Sequence, residues 1–171
     1  FPRNQCIQLL SGSEEHTKVI TPNYSAGAKL IADYVQSRKF NQVYLVESTP
    51  EEPLLHRSVN QMQETLANLS THGLNFYDEE AVHALVREIQ PHSCFICTED
   101  NTALGLASRI READRKTVEM VSIQGTGIVT APHTRLRYDY RRLGRSAASG
   151  ILHGTAIKQM APRLVTQQED D

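Results

Sequence analysis

The residues best suited to chemistry lie in CFICTED, Cys94 to Asp100, where two cysteines at CxxC spacing run into adjacent carboxylates, Glu99 and Asp100. CxxC is the spacing of redox pairs and of half a zinc site. A redox pair needs its first thiol at a helix N-terminus, where the dipole lowers the pKa. Here the cysteines fall inside an apolar, strand-like run, and residues three apart on a strand point to opposite faces. No second CxxC and no histidine pair completes a zinc set. Both thiols are therefore expected in the core. Adjacent carboxylates could form an acid–base pair, but a helix start favours them anyway through capping and the dipole. Asp100 is expected to be the cap. Glu99, just beyond a strand's carboxyl end, keeps a ligand role open.

Four other stretches invite a reading. Gln124-Gly-Thr-Gly127 follows a strand but lacks the Lys-Ser/Thr of a phosphate loop and the full dinucleotide fingerprint. It reads as a tight strand exit, with backbone N–H groups able to hold an anion weakly. Arg57 stands at a helix start, where the dipole disfavours a cation. It is either a solvated surface residue or a fork that grips an anion or sugar hydroxyls. RLRYDYRRLGR, Arg135 to Arg145, mixes basic and aromatic residues, as nucleic-acid contacts do, and equally as a strand-to-helix junction does. The seven histidines show no HxH, HxxxH or HExxH spacing, so no metal site is expected. GxSxG is missing and no Ser/His/Asp order suggests a triad. No cofactor and no enzymatic reaction are expected.

Bulk composition narrows the class. The chain has 171 residues, 39% hydrophobic and 22% charged, as in a soluble globular domain. A net charge of −2 argues against this chain being a nucleic-acid-binding surface by itself. No apolar run is long enough to span a bilayer, and Phe1–Gln8 is no signal peptide. Three sparse cysteines suit a reducing cytoplasm. The chain opens FPRNQC, without an initiator Met, on a strand already under way, so a piece of a longer protein is expected.

These residues need elements to hold them, and the pattern alternates strand and helix. Strands are expected at Gln5–Leu10, Val19–Ile20, Gln42–Val46, Leu74–Tyr77, Ser93–Cys97, Val118–Ile123, Arg135–Tyr138 and Arg163–Thr166. Helical stripes run through Tyr24–Arg38, capped by Asn23 or Ser25, and Leu54–Leu69, ended near Gly73. Further stripes run through Ala81–Ile89 and Ala103–Ile110, and a last helix runs from an Asp139 cap to about His153. Strands apolar on both faces, alternating with helices, imply an α/β fold with a parallel sheet and right-handed crossovers. Ligands in such sheets bind beyond the carboxyl ends of strands. That singles out the loops Glu47–Arg57, Tyr77–Glu79, Thr98–Asn101 and Gln124–Pro132.

Taken together, NYSAGAKLIADYVQSRKFNQVYLV, the Arg57 position, CFICTEDNTALGLASRIREA and LRYDYRRLGRSAASGIL resemble the effector-binding core of the LacI/GalR family of bacterial transcription regulators. TEDNTALG and DYRRLGRSAA are the most specific parts. The resemblance implies a periplasmic-binding-protein-like, two-lobe architecture with an incomplete N-terminal lobe. Residues 1–40 and 139–152 would belong to the N-terminal lobe, and 41–138 and 153–171 mainly to the C-terminal lobe. The DNA-binding head would lie outside this chain. The sequence also departs from the family. Asn60 and Gln61 stand where Gly-Phe is usual after the Arg, Glu99 replaces an Asn, and Gln124-Gly125-Thr126 replaces Gly-Phe/Tyr-Asp.

The function so implied is ligand sensing and dimerisation in a sugar-responsive, cytoplasmic repressor. A sugar or sugar phosphate would sit between the lobes and shift their closure. Arg57, Glu99, Thr126 and Tyr138 are the expected cleft residues. The expected partners are a second copy of the chain and, through the head, operator DNA. Leu104 would face the sister subunit by the same resemblance, while its pattern alone fits an intramolecular core equally well. The alternative function is a periplasmic sugar-binding transport protein.

Overall fold

The computed structural model describes residues 7–9, 18–20, 23–47, 71–111, 114, 117–125, 133–153 and 160–166. The elements are β1 (Ile7–Leu9), β2 (Lys18–Ile20), α1 (Tyr24–Arg38), β3 (Gln42–Glu47), β4 (Thr71–Asn75), α2 (Glu79–Glu88), β5 (Ser93–Glu99), α3 (Asp100–Arg109), β6 (Val118–Gly125), β7 (Thr134–Arg137), α4 (Tyr140–His153) and β8 (Arg163–Val165). Strands β1 and β2 pair in parallel as a small sheet of their own. The other six form one sheet in the order β4-β3-β5-β6-β7-β8. It is parallel except for β8, which runs antiparallel to β7. The expectation of an α/β sheet holds, as a mixed rather than wholly parallel one.

Strand alternation divides the core in two. Val43, Leu45, Cys94, Ile96, Val121, Ile123 and Leu136 face α1, meeting Ala28, Ile31, Ala32 and Val35 of its apolar stripe. Tyr44, Val46, Phe95, Cys97 and Met120 face the other way, against Val82 of α2 and Ala103 and Leu106 of α3. The sheet is thus sandwiched between helices, which is why β3 and β5 are apolar at nearly every position. Cys94 and Cys97 fall in opposite halves, both fully buried, and burial raises both thiol pKa values. That is the core role expected of CFIC.

Local signals worked where their chemistry was local. The Asn23 side chain accepts a bond from the Ala26 N–H at 2.9 Å and caps α1. Asp78 caps α2 through the Ala81 N–H at 3.0 Å. Asp139 accepts from the Arg142 N–H at 2.8 Å at the start of α4. One local reading shifts here. Gly73 does not end a helix; it lies inside β4, opposite Leu45. Gly125 pairs with Arg137 as the last residue of β6, at the strand exit expected there. Helix Leu54–Leu69 lies outside the described residues.

Helix α1 and Phe40 share one core with β3, β5, β6 and β7. An apolar stripe looks the same whichever sheet it covers, so its assignment rests on contacts that the sequence does not display. Helix α4 lies beside β1, and its Leu143 and Ala147 form a separate cluster with Tyr140 and Met160. Among the described residues, no helix is long and apolar enough to cross a membrane.

Candidate functional site

Strand order sets where a ligand would sit. From β3 the chain moves outward to β4, then returns to β5 on the other side of β3. The β3/β5 junction is therefore a switch point, where the connections leave in opposite directions and a crevice opens beyond the carboxyl ends. Glu47 ends β3 and Glu99 ends β5. The register then carries a polar rim across the sheet: Glu47 lies opposite Asn75, Glu99 opposite Gln124, and Gly125 opposite Arg137.

Glu99 is half-buried at the N-cap position of α3, yet its side chain makes no capping bond. Its carboxylate has no partner among the described residues and is available as a hydrogen-bond acceptor. Asn75 uses its side-chain oxygen to accept from the Tyr77 N–H at 3.0 Å, and the Phe76 N–H bonds the Glu47 carbonyl at 2.9 Å. This turn directs the Phe76 ring under the Arg109 guanidinium, 4.8 Å from the ring centre. Tyr77 is left 69% exposed beside the end of β4. An exposed aromatic there offers an apolar face, and sequence reading had marked its loop but not the residue.

Asp100 departs from its expected role. Its carboxylate turns into the protein, where Ser122 of β6 donates to Oδ1 and His133 Nε2 lies 3.2 Å from the same oxygen. His133 Nε2 is also 3.1 Å from Ser122 Oγ. All three residues are at least 95% buried. Ser122 has one hydroxyl hydrogen, and Asp100 takes it. Nε2 must therefore carry a hydrogen shared between the two oxygens, which fixes the tautomer from the network. Sequence order gave no hint of this Ser/His/Asp meeting. It is not a nucleophilic triad: there histidine uses one nitrogen for the hydroxyl and the other for the carboxylate, and here a single nitrogen meets both. The arrangement can hold position. A charge-assisted bond of this kind contributes about 1.5–3 kcal/mol. Stranding the buried carboxylate would cost about 3–5 kcal/mol.

The other expected site residues divide. Arg57 and Thr126 lie outside the described residues. Tyr138 follows β7 at the same carboxyl edge, but it is buried between Tyr24 and Tyr140, with ring centres 5.8 and 6.0 Å away. Its hydroxyl is buried without a hydrogen-bond partner, and burial raises its pKa. Tyr138 thus packs among aromatic rings at this edge. Leu104 is half-buried on α3, next to Gly105, which packs against the Phe76 ring. Among the described residues, no group of three or more His, Cys, Asp or Glu is placed to hold a metal ion.

A mostly parallel sheet of this order, with helices on both faces, is an α/β fold with a crevice at its switch point. Its solved relatives are LacI-family transcriptional regulators, and the chain has their fold. A LacI-family regulator from Enterococcus faecalis V583 with bound ribose superposes with a TM-score of 0.71 at 15% identity, covering 93% of this chain and 66% of its own. A sugar-binding regulator of the same family from Escherichia coli, complexed with phosphate, gives 0.73 at 12%, covering 92% and 65%. The trehalose repressor from Escherichia coli gives 0.70 at 13%, covering 94% and 68%. The chain thus spans about two thirds of the length of these regulators. No family model and no curated protein matches its sequence.

Proposed function

We propose that this chain is the ligand-sensing and dimerising domain of a sugar-responsive transcriptional repressor of the LacI/GalR type. The observation that carries the reading is Glu99, a half-buried carboxylate without a partner among the described residues, at the switch point of a sheet with the LacI-family fold. A carboxylate accepts the hydrogens of sugar hydroxyls, and the Tyr77 ring supplies a face for the apolar side of a pyranose or furanose. Arg57 and Thr126 follow β3 and β6 in the sequence and would complete the cleft from the loops at the same edge. The domain performs no reaction. Ligand binding shifts a lobe equilibrium through its different affinity for the two states, and a DNA-binding head outside this chain reads the shift. Half-buried Leu104 would contact a second copy of the chain. The protein would work in the cytoplasm.

Thermal melting with sugars and sugar phosphates tests this. One class should raise the melting temperature, as any ligand specific to the native state does. Arg57→Ala and Glu99→Gln should each weaken the shift while leaving the unliganded melt close to its original temperature. No shift with any sugar or sugar phosphate would refute the sensing role. Leu104→Arg should convert a dimer into a monomer in sedimentation; a chain that is monomeric throughout would point to the transport reading instead.

A further inference from the structure

The geometry points to Asp100, Ser122 and His133 as positioning residues for Glu99: a buried clasp that holds the ligand-binding carboxylate open to the rim. This inference rests on the sensing role given to Glu99 above. Glu99 and Asp100 are neighbours at the β5–α3 junction, with Glu99 in extended conformation (φ −135°, ψ 156°) and Asp100 opening the helix. Glu99 holds the N-cap position of α3 but is not one of the short polar side chains that cap well, and it makes no capping bond.

The clasp fixes this junction from the neighbouring residue. Asp100 is anchored inward at one oxygen by two residues from two different segments, Ser122 in β6 and His133 at the entry to β7. The first turn of α3 is thereby fixed to the sheet without a cap from Glu99. The register places the clasp close to the rim: Ser122 pairs with Cys97, and two residues further along the same strands, about 7 Å by strand rise, Gln124 pairs with Glu99. Loss of the clasp would loosen the inward hold on Asp100 and let its neighbour Glu99 turn away from the rim. The acceptor would then be lost to the ligand.

A double-mutant cycle on the full chain separates this role from simple support of the fold. Calorimetric titration uses whichever of D-ribose, trehalose or a sugar phosphate shifts the melt of the wild type. His133→Leu should weaken binding about tenfold, within the coupling range expected of contacting residues. His133→Gln, whose Nε2 also donates, should restore affinity to within about twofold. In the Glu99→Gln background, His133→Leu should change affinity by less than about twofold, because the residue it acts through is already gone. Ser122→Ala carries the same cycle if His133→Leu does not fold. Additive losses, or no rescue by glutamine, would overturn the positioning role and leave the sensing role standing. Absence of binding to every probe would overturn both.

Discussion

Replacing Gly27 by alanine should destabilise the protein, against the usual preference for alanine in a helix. Gly27 lies in the first turns of α1, buried against the sheet. A Cβ there would come within 2.8 Å of Leu136 Cδ1, 2.9 Å of the Tyr138 hydroxyl and 3.3 Å of Pro162 Cγ. Leu136 is fully buried and Tyr138 is held between two other tyrosines, so neither can yield cheaply. Alanine gains about 0.8–1 kcal/mol of helix propensity over glycine. Overpacking a closed core costs about 1–3 kcal/mol. The contacts fall below the closest approach that real Cβ atoms make, so the cost should lie in the upper half of that range, for a net loss of about 1–2 kcal/mol. Gly144 is the internal control. It is exposed on α4, and a Cβ would meet nothing within 4 Å. Gly144→Ala should therefore keep most of the propensity gain. Urea unfolding of the two variants at constant m-value should give midpoints on opposite sides of the wild type. A Gly27→Ala midpoint at or above the wild-type value would refute the packing argument and the position of α1 on the sheet.

Gly105→Ala should fall between these two, because the atom its Cβ would meet at 2.7 Å is the tip of the half-buried Phe76 ring, which can swing; stability within about 1 kcal/mol of wild type is expected. Cys94 and Cys97 should resist a thiol reagent at pH 8 in the native state of a Cys6→Ser chain and react only on unfolding, since burial disfavours both thiolates. Stability should fall in alkali. Tyr34, Tyr44 and Tyr138 all have pKa values raised above the ordinary 10.0, chiefly by burial. Their protonated forms therefore contribute stability that is complete below pH 10 and is lost as pH rises toward the folded-state values. Tyr138→Phe should flatten the urea midpoint's decline above pH 10 and, by removing a buried unpaired hydroxyl, leave neutral-pH stability equal or higher. A steeper decline in that variant would contradict the buried environment of the ring.

The parts of the fold that were legible rest on short-range chemistry. Helix Tyr24–Arg38 is readable because its apolar residues recur at helical spacing and Asn23 can reach the Ala26 N–H without help from elsewhere. The opposite faces of Cys94 and Cys97 follow from strand alternation alone. Failures came where a residue's local preference met a distant partner. Gly73 has the composition of a helix stop, but pairing with Leu45 in β3 draws it into a strand. At the site, Glu99 was recognisable from its place after a strand, whereas Tyr77 needed the turn at Asn75 and the docking of Phe76 under Arg109 to become the exposed member of its pair.

The clasp carried one overlooked signal. In VEMVSIQG a serine occupies the middle of a strand that reads as buried on both faces, and a hydroxyl there is costly unless something accepts its hydrogen. Ser122 is wholly buried, so the strand assignment itself required an acceptor on a neighbouring element. Asp100 and Glu99 were the carboxylates at the end of the preceding strand, and only one of them can turn inward, because neighbouring residues leave the chain in different directions. That acceptor turns Asp100 from helix cap to buried anchor and leaves Glu99 as the carboxylate at the rim. His133 could not have been found this way. Its approach depends on the path of the chain between β6 and β7, which no local pattern specifies. Ser122→Ala and Glu99→Gln therefore test what alternation can anticipate, and His133→Gln tests what only the folded geometry brings together.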